Sequence, residues 1–387
     1  MSLLYYRQLL RQSRRIEAFR RAIRHGVRPG DRVLEIGSGL GTFAFFAADA
    51  GAARVWAVDG HPVIHVARTI ARLNGYADRV TFLRGWLPDA VPDEPANVVI
   101  FEDFPPRLLD ASAWRLLRGV RRTALAPGAR FVPAGADLFL APVSSEDLLR
   151  ELTLDGEPPL YGLDWSAGRE AVANTPHRVN VPREALLHAG ARVGCVDFAR
   201  DVAADQLGGV AEISVDRAAA MHGLVYWFEL NLGGGERLSN APGETPGSWG
   251  HLFLPIDPPL ALAAGDRLTV SIRAEPLPDQ APGWLAWDVA SRAGRRRGHE
   301  FLGTPMSVTD LLEASRDSVP ELTPRGKTAL RVLALADGTR SVSDIAHILI
   351  RDRPDLSQAE AERLVIAHLR GSITSKAPGA EETGYGF

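Results

Sequence analysis

The sequence predicts an α/β domain built on a parallel sheet, followed by an antiparallel β-barrel and a small helical C-terminal module. Three observations predict this order. Apolar strands alternate with amphipathic helices over residues 31–132, which favours a parallel sheet with helices on both faces. The apolar runs of residues 133–304 are short, β-rich and separated by Gly and Pro turns, as in antiparallel barrels. Residues 305–372 return to helical periodicity.

Composition indicates a globular protein of two or three domains, because 387 residues exceed the usual size of one core. The net charge of -3 favours neither a nucleic-acid nor a membrane partner. No signal peptide opens the chain and no apolar run reaches membrane-spanning length, so we expect a cytoplasmic protein. Only two of the 44 basic residues are lysines, which with the abundant alanine indicates a GC-rich bacterial genome.

Cysteine and histidine usage predicts neither a disulfide nor a metal site. The single Cys195 cannot form an internal disulfide and lies in a strand-like run, so we predict a buried, inert thiol. The ten histidines show no metal-ligand spacing, and we expect no metal.

The apolar pattern places the individual elements. One helix is predicted over residues 4–25, before Pro29-Gly30. Strands of the parallel sheet are predicted at 33–36, 55–58, 80–83 and 98–101, and its helices at 42–50, 62–74 and 113–124. Barrel strands are predicted at 137–143, 210–215, 224–232, 249–254, 268–272 and 284–289. The module's helices are predicted at 328–336, 342–350 and 358–369, and residues 373–387 as a disordered tail.

Residues 35–41 (Glu-Ile-Gly-Ser-Gly-Leu-Gly) join the first strand to the first helix of the sheet. Glycines at alternating positions let the backbone turn sharply and approach a ligand closely. Asp59 closes the second strand 22 residues after Gly37, where a doubly wound sheet places the carboxylate that binds ribose hydroxyls. The spacing E-x-G-x-G-x-G resembles motif I of the class I S-adenosylmethionine (SAM) methyltransferases. The alternatives are an NAD or FAD loop and a structural glycine turn without ligand.

This resemblance implies a Rossmann-like SAM-binding domain over residues 31–132, with SAM as the cofactor and residues 1–30 as a helical cap over its site. The cofactor-binding residues that it implies are Gly37, Ser38, Gly39 and Gly41 of the loop, Glu35 as its brace, Asp59 and Gly60 beside the ribose, and Gly85, Trp86 and Leu87 near the adenine.

Several separated motifs within residues 5–304 resemble the protein arginine methyltransferases. They are Leu9-Leu10 with Arg15, Phe19, Ala22 and Ile23; Pro133 with residues 139–145; residues 161–164; residues 222–223 with 227–229; and residues 242–255, which include Ser248-Trp249. The last stretch is most similar to the branch that makes symmetric dimethylarginine. The resemblance implies a β-barrel over residues 133–304 that serves substrate binding and dimerisation.

The resemblance also assigns chemical roles. It implies that Arg15 pairs with the SAM carboxylate, and that Glu102, after the fourth strand, contacts both substrate and cofactor as the first of two substrate glutamates. The second glutamate position falls on Ala111, so Asp110 is the nearest acid. Carboxylates suit this chemistry because they hold a planar guanidinium bidentately and stabilise its positive charge. The alternatives are a solvated loop acid for Glu102 and a helix cap for Asp110.

Trp249 matches the tryptophan of the family's Thr-His-Trp loop, and Ser248 stands at its histidine position, as in the symmetric branch. The alternative for Trp249 is a barrel-core aromatic. The segment 158–174 resembles the family's dimerisation arm, with Tyr161 and Trp165 as apolar anchors, and therefore predicts a homodimer.

The sequence thus predicts a SAM-dependent N-methyltransferase acting on the guanidino nitrogen of a protein, a peptide or free arginine. Two alternatives are a small-molecule methyltransferase on the same scaffold and a non-catalytic SAM-binding recognition scaffold. The run Phe104-Pro105-Pro106 is followed by Arg107, where enzymes that methylate nucleic-acid amines have an aromatic residue, so no nucleic-acid substrate is expected.

Residues 335–346 resemble the D-G-x-x-[ST]-x-x-[DE]-I-A entry of small winged-helix-like modules, which include leader-peptide recognition elements. The alternatives are a plain packing appendage, a peptide-binding module and a DNA-binding module. Ser341 or Ser343 is predicted to cap one helix, and Ser357 with Glu360 forms a near capping box for the next.

Overall fold

The computed structural model describes residues 2–103, 108, 111–152, 160–200, 208–244, 247–275, 284–313, 315 and 317–369. They belong to two compact units, which lie within Met1–Pro305 and Met306–Thr383. The first unit holds one parallel and two antiparallel sheets, and the second is helical.

The parallel sheet confirms the predicted α/β class. Its strands are β1 (Arg32–Ile36), β2 (Arg54–Asp59), β3 (Val80–Arg84), β4 (Ala96–Phe101) and β5 (Leu125–Val132), in the order β3-β2-β1-β4-β5. Helices α3 (Thr42–Asp49), α4 (Ile64–Leu73) and α5 (Ala111–Thr123) connect them. Because β1 lies between β2 and β4, the carboxyl ends of these three strands meet at one sheet edge, where such folds bind ligands.

The fifth strand is absent from the sequence prediction because β5 contains Pro127 and Gly128, which break the apolar pattern. Its position at the sheet edge tolerates both residues. The predicted single N-terminal helix is also wrong, since the structure has α1 (Leu3–Leu10) and α2 (Ser13–Gly26) with a non-helical Gln12 between them. At the break the Leu9 carbonyl accepts hydrogen bonds from the Gln12 N–H at 3.2 Å and from the Arg15 guanidinium at 3.0 Å.

Two antiparallel sheets follow. One pairs β7 (His177–Val179), β12 (His251–Leu262), β10 (Ala219–Gly233), β6 (Gly135–Val143) and β8 (Ala191–Asp197) in that order, with β11 (Glu236–Ser239) added to β10. The other has the order β15-β14-β13-β9, formed by Gly294–His299, Trp284–Ser291, Arg267–Glu275 and Gly208–Ser214. Short helices α6 (Glu146–Leu152) and α7 (Arg169–Ala173) lie between strands. Tyr226 and Phe228 of the first antiparallel sheet and Trp287 of the second are fully buried in one hydrophobic core, as the predicted barrel requires.

The predicted burial of Cys195 is wrong, because the thiol is exposed. The pairing of β6 with β8 shifts register between Leu138 and Phe139, which pair with Gly194 and Arg192 and leave Val193 as an extra residue. This bulge reverses the alternation of faces beyond Val193, so Cys195 points to solvent.

The second unit contains α8 (Val308–Glu313), α9 (Pro324–Leu335), α10 (Val342–Asp352) and α11 (Gln358–Leu369). Its core includes Val332, Ile345, Leu349 and Val365. Of the two predicted caps, Ser341 forms a capping box with Asp344, whereas the Ser343 hydroxyl donates to Glu362 at 3.1 Å. The predicted tail lies outside the described residues. Among the helices described in both units, none is long and apolar enough to cross a membrane.

Candidate cofactor and substrate site

The glycine loop leaves β1 at the sheet edge and leads into α3. Gly37 and Gly39 adopt positive φ values of 71° and 52°, which side chains on L-residues disfavour. A Cβ on Gly39 would lie 2.7 Å from the Tyr6 ring, and one on Gly37 would lie 2.3 Å from the Asp103 Cβ. Gly41 begins α3 in a left-handed conformation. The loop therefore needs glycine both for its shape and for the groups packed on it.

Two buried carboxylates hold this loop. Glu35 accepts a hydrogen bond from the Ala44 backbone N–H at 2.9 Å and so ties β1 to α3. Its burial raises the pKa of the Glu35 carboxyl well above the usual range. Asp59 Oδ2 accepts from the Gly39 N–H at 2.8 Å, and Asp59 Oδ1 accepts from the His61 N–H at 2.7 Å. Asp59 Oδ1 also lies 3.1 Å from His61 Nδ1, whereas Oδ2 keeps a further lone pair for a ligand hydroxyl.

The segments after β2 and β3 meet next to Asp59. The Trp86 ring packs on Gly60, where a Cβ would lie 2.2 Å from the indole. Trp86 is 65% exposed and meets the His61 ring edge-on, with ring centres 5.2 Å apart. The Gly85 N–H donates to the Asp59 carbonyl at 3.1 Å, whereas Leu87 packs partly against the core. An exposed aromatic face thus lies beside the Asp59 carboxylate.

Arg15 and Glu102 form the central ion pair of the site. Glu102 directly follows β4, and its Oε1 lies 2.6 Å from Arg15 Nη1, with 6% and 17% of the Arg15 and Glu102 side chains exposed. Burial raises the pKa of the Glu102 carboxyl to about 7, although the Arg15 charge opposes the shift. Within the part of the chain that the structure describes, the buried Arg15 Nε has no hydrogen-bond partner. A buried guanidinium with an unsatisfied N–H is suited to a second carboxylate, because unpaired buried donors are costly.

Tyr6 and Asp103 belong to the site but are missing from the sequence prediction. Tyr6 is buried over Gly39, and burial together with the charges of Asp59 and Asp103 raises its pKa to about 12. Asp103 packs on Gly37, and burial and the Asp59 charge raise the pKa of its carboxyl. The adjacency of Asp103 to Glu102 was the available sequence signal for Asp103. For Tyr6 there was none beyond its place in α1.

Trp249 lies before β12 and is largely buried, in edge-on contact with Phe228 at a ring-centre distance of 5.4 Å. It also lines a cavity of about 320 Å³ against α1 and α2. Beside it the Ser248 N–H donates to Gln12 Oε1 at 3.2 Å, which ties this barrel loop to the break between the two helices. Trp249 is therefore both a core aromatic and a cavity wall. Asp110 lies outside the described residues.

The fold and the site define a class: a SAM-methyltransferase-type parallel sheet with a glycine loop, joined to an antiparallel barrel. Comparison with models of known protein families finds no match. The fold is that of the protein arginine N-methyltransferases, which confirms the predicted resemblance. Among solved structures, the Trypanosoma brucei PRMT1 enzyme-prozyme heterotetrameric complex with AdoHcy has a TM-score of 0.68 at 21% identity, covering 76% of this chain and 97% of that chain. The Arabidopsis thaliana protein arginine methyltransferase 10 has a TM-score of 0.66 at 19% identity, covering 77% and 98%.

Sequence relatives carry related names. The probable protein arginine N-methyltransferase 6 of Arabidopsis thaliana is 28% identical over 238 residues, which are 59% of this chain and 54% of that protein. The arginine N(omega)-methyltransferase of Streptomyces achromogenes subsp. streptozoticus is 28% identical over 271 residues, which are 68% and 74% of the two chains. The match therefore spans about half the length of the first relative and three quarters of the second.

Proposed function

We propose that this chain is a SAM-dependent N-methyltransferase that acts on the guanidino nitrogen of arginine, free or within a peptide or protein. The Arg15–Glu102 ion pair carries this proposal, because both residues line the cleft at the glycine loop and Arg15 also lines the cavity of Trp249. One partner of the pair suits the carboxylate of the cofactor, and the other suits the guanidinium of the substrate.

The described residues fit SAM. Among the described residues, the buried Arg15 Nε and Ser38 hydroxyl have no hydrogen-bond partner, and they suit the carboxylate and the amine of the amino-acid end of SAM. Asp59 offers acceptors for the ribose hydroxyls. Bound SAM supplies an electrophilic methyl group. The cleft between the loop and α1 has a free volume of about 60 Å³, space for roughly two waters. Tyr6, which packs on Gly39, lines this cleft.

Glu102 would bind and polarise the substrate. Its ionised carboxylate can accept two N–H bonds from a planar guanidinium, which fixes the orientation of the nitrogen that is to be methylated. It also stabilises the positive charge that stays on the group during transfer. Arg15 opposes the burial of this carboxylate and therefore helps to keep it ionised.

The names of the sequence relatives support arginine as the substrate. The test is calorimetric titration with SAM, followed by mass spectrometry of free arginine and of arginine peptides after incubation. We expect SAM binding and a mass gain of one methyl group on arginine. SAM binding with methylation of a different small molecule would favour the scaffold's small-molecule alternative, and binding without any methylation would favour a recognition scaffold.

The raised pKa of Glu102 predicts a pH-dependent specificity. Only the ionised carboxylate attracts a guanidinium cation, so kcat/KM for the arginine substrate should rise as pH increases through about 7 and level off above it. The measurement is kcat/KM from about pH 5.5 to pH 9 with SAM saturating, together with calorimetry of SAM at each pH. A kcat/KM that does not change over this pH range would show that the Glu102 carboxylate does not bind the substrate.

The chain is further proposed to be a homodimer that uses the arm over residues 160–174. Tyr161 is 93% exposed and Leu163 is 54% exposed, which is unusual for apolar side chains that remain in solvent. Arg169 fixes the arm to the barrel through Asp257, with its Nε and Nη2 at 2.7 and 2.8 Å from the two carboxylate oxygens. The heterotetrameric assembly named for the Trypanosoma brucei structure supports oligomer formation.

Sedimentation at micromolar concentration should show a dimer, and Tyr161→Ala with Leu163→Ala should shift the equilibrium toward monomer because the variant loses apolar contact area. An unchanged sedimentation coefficient for the double variant would place the interface elsewhere, and a monomeric parent chain would remove the proposal. Leu73→Ala is a suitable control, since Leu73 is 81% exposed at the end of α4, away from the arm.

The helical unit is proposed to select the substrate, and its exposed apolar side chains include Leu330, Leu333 and Ile366 on α9 and α11, which are available to a leader peptide. A cytoplasmic location is also proposed. A bacterial origin agrees with the Streptomyces relative.

A further inference from the structure

The cavity that Trp249 lines is positively charged, whereas an arginine-rich partner needs a negatively charged surface. Its volume is about 320 Å³, and it opens between the two N-terminal helices and the barrel. The described residues that line it are Gln8, Arg11, Gln12, Ser13, Arg14, Arg15, Leu238, Ser239, Asn240, Gly247 and Trp249. Three of them are arginines, and none carries a carboxylate. A peptide that presents several cations would meet like charge at this opening.

The three arginines differ in how their charges are balanced. Arg15 is paired with Glu102 at 2.6 Å, and Arg14 is paired with Glu244 at the surface. Arg11 is exposed after the last turn of α1, and within the described ranges its guanidinium makes no ion pair. The cavity therefore offers one uncompensated guanidinium, and it reaches Arg15, whose partner is the carboxylate proposed to bind the substrate guanidinium.

We propose that the substrate is a small guanidino acid with a free carboxylate, of which arginine itself is the simplest, and that Arg11 binds that carboxylate. This inference rests on the proposed function. A molecule with a cation at one end and an anion at the other would place its guanidinium on Glu102 and its carboxylate on Arg11. Arg11 suits that contact because guanidinium and carboxylate match in planar, bidentate geometry. Arg11 thus determines specificity and takes no part in methyl transfer.

An arginine inside a peptide chain lacks this carboxylate. Its flanking amides would leave the Arg11 charge uncompensated, and further arginines would add repulsion. The proposal therefore predicts that the enzyme discriminates by the group at the far end of the substrate. L-Argininamide tests this directly, because it differs from L-arginine only in the replacement of the carboxylate by a neutral amide.

The experiment compares kcat/KM for L-arginine, L-argininamide and a glycine- and arginine-rich peptide, with SAM saturating and methylation followed by mass spectrometry. We expect kcat/KM for L-arginine to exceed that for L-argininamide by about two- to fivefold, because Arg11 is exposed and an exposed ion pair contributes up to about 1 kcal/mol. Arg11→Gln should raise KM for L-arginine by about the same factor, with kcat and SAM affinity unchanged, and should leave L-argininamide unaffected. Arg7→Gln is the matched control, an exposed arginine of α1 outside the cavity lining.

The outcomes separate this inference from the proposed function. If the peptide is methylated better than L-arginine, or if Arg11→Gln affects L-arginine and L-argininamide alike, the inference is wrong and arginine methylation stands. If Arg7→Gln raises KM for L-arginine as much as Arg11→Gln does, the effect comes from the overall positive charge of this region and not from a contact with Arg11. That result also overturns the assignment. If no guanidino compound is methylated although SAM binds, the proposed function itself fails.

Discussion

Glu102→Gln should lower kcat by more than about a hundredfold while leaving SAM affinity nearly unchanged. The substitution keeps the shape and one acceptor oxygen for Arg15 but removes the negative charge that holds a guanidinium and stabilises it during transfer. A loss of that size is typical when one electrostatic stabiliser is removed from an active site. Steady-state kinetics with saturating arginine and SAM measures kcat, and calorimetry measures the SAM affinity.

Glu94→Gln is the matched control for this variant. Glu94 also pairs with arginines, at 3.3 Å from Arg32 and 2.9 Å from Arg54, but it precedes β4, whereas Glu102 follows it. Its loss should leave kcat within about twofold, since exposed ion pairs contribute little. If Glu102→Gln instead abolishes SAM binding and keeps full activity at excess SAM, Glu102 binds the cofactor alone and the roles given to the pair are reversed.

The parts of the site that lie on regular elements could be predicted from local pattern. The glycine loop, Asp59 and Glu102 each follow a short apolar strand, and parallel strands present their carboxyl ends at one edge. The order of strands in the chain therefore predicted that these residues would come together. The same reasoning predicted the α/β class, because alternation of strands and helices is a local signal that does not depend on distant contacts.

What the sequence could not predict depends on breaks and register. The helix break at Gln12 brings Tyr6 over the glycine loop, and the hydrogen bond that ties Gln12 to the barrel joins positions 236 residues apart. The exposure of Cys195 depends on a one-residue bulge, which reverses the face of every later residue in the strand. Such features arise from contacts between distant segments, so the hydrophobic periodicity of the sequence does not predict them.

The charge of the cavity that Trp249 lines could likewise be predicted only in part. The motif around Trp249 predicted a functional loop, and the structure places Trp249 on the cavity wall. The motif did not indicate that α1 and α2 contribute arginines to the opposite wall. Those arginines occur in a stretch dense in basic residues, where sequence alone cannot distinguish a solvated charge from one that faces a cavity.

Asp59→Ala should weaken SAM binding by about 1.5–3 kcal/mol, roughly tenfold to 150-fold in affinity. The variant loses the acceptors proposed for the ribose hydroxyls. It also releases the Gly39 and His61 N–H groups, which Asp59 holds at 2.8 and 2.7 Å, so the glycine loop loses one of its two carboxylate braces. KM for SAM should rise accordingly. At saturating SAM, kcat should fall much less, because Asp59 is proposed to bind the cofactor and not the substrate guanidinium.

Asp49→Ala provides the control, since Asp49 ends α3 and is exposed, and among the described residues its carboxylate accepts only from the Tyr76 hydroxyl, at 3.0 and 3.1 Å. Thermal unfolding of both variants without SAM separates loss of affinity from loss of fold. Asp59→Asn adds a second test, because the amide keeps one acceptor oxygen and its NH₂ group opposes a donor at the other position. Its SAM affinity should lie between those of the parent chain and Asp59→Ala. Parent-like affinity in both substitutions would mean that the ribose is bound elsewhere, and the Gly60–Trp86 contact would then be the place to look.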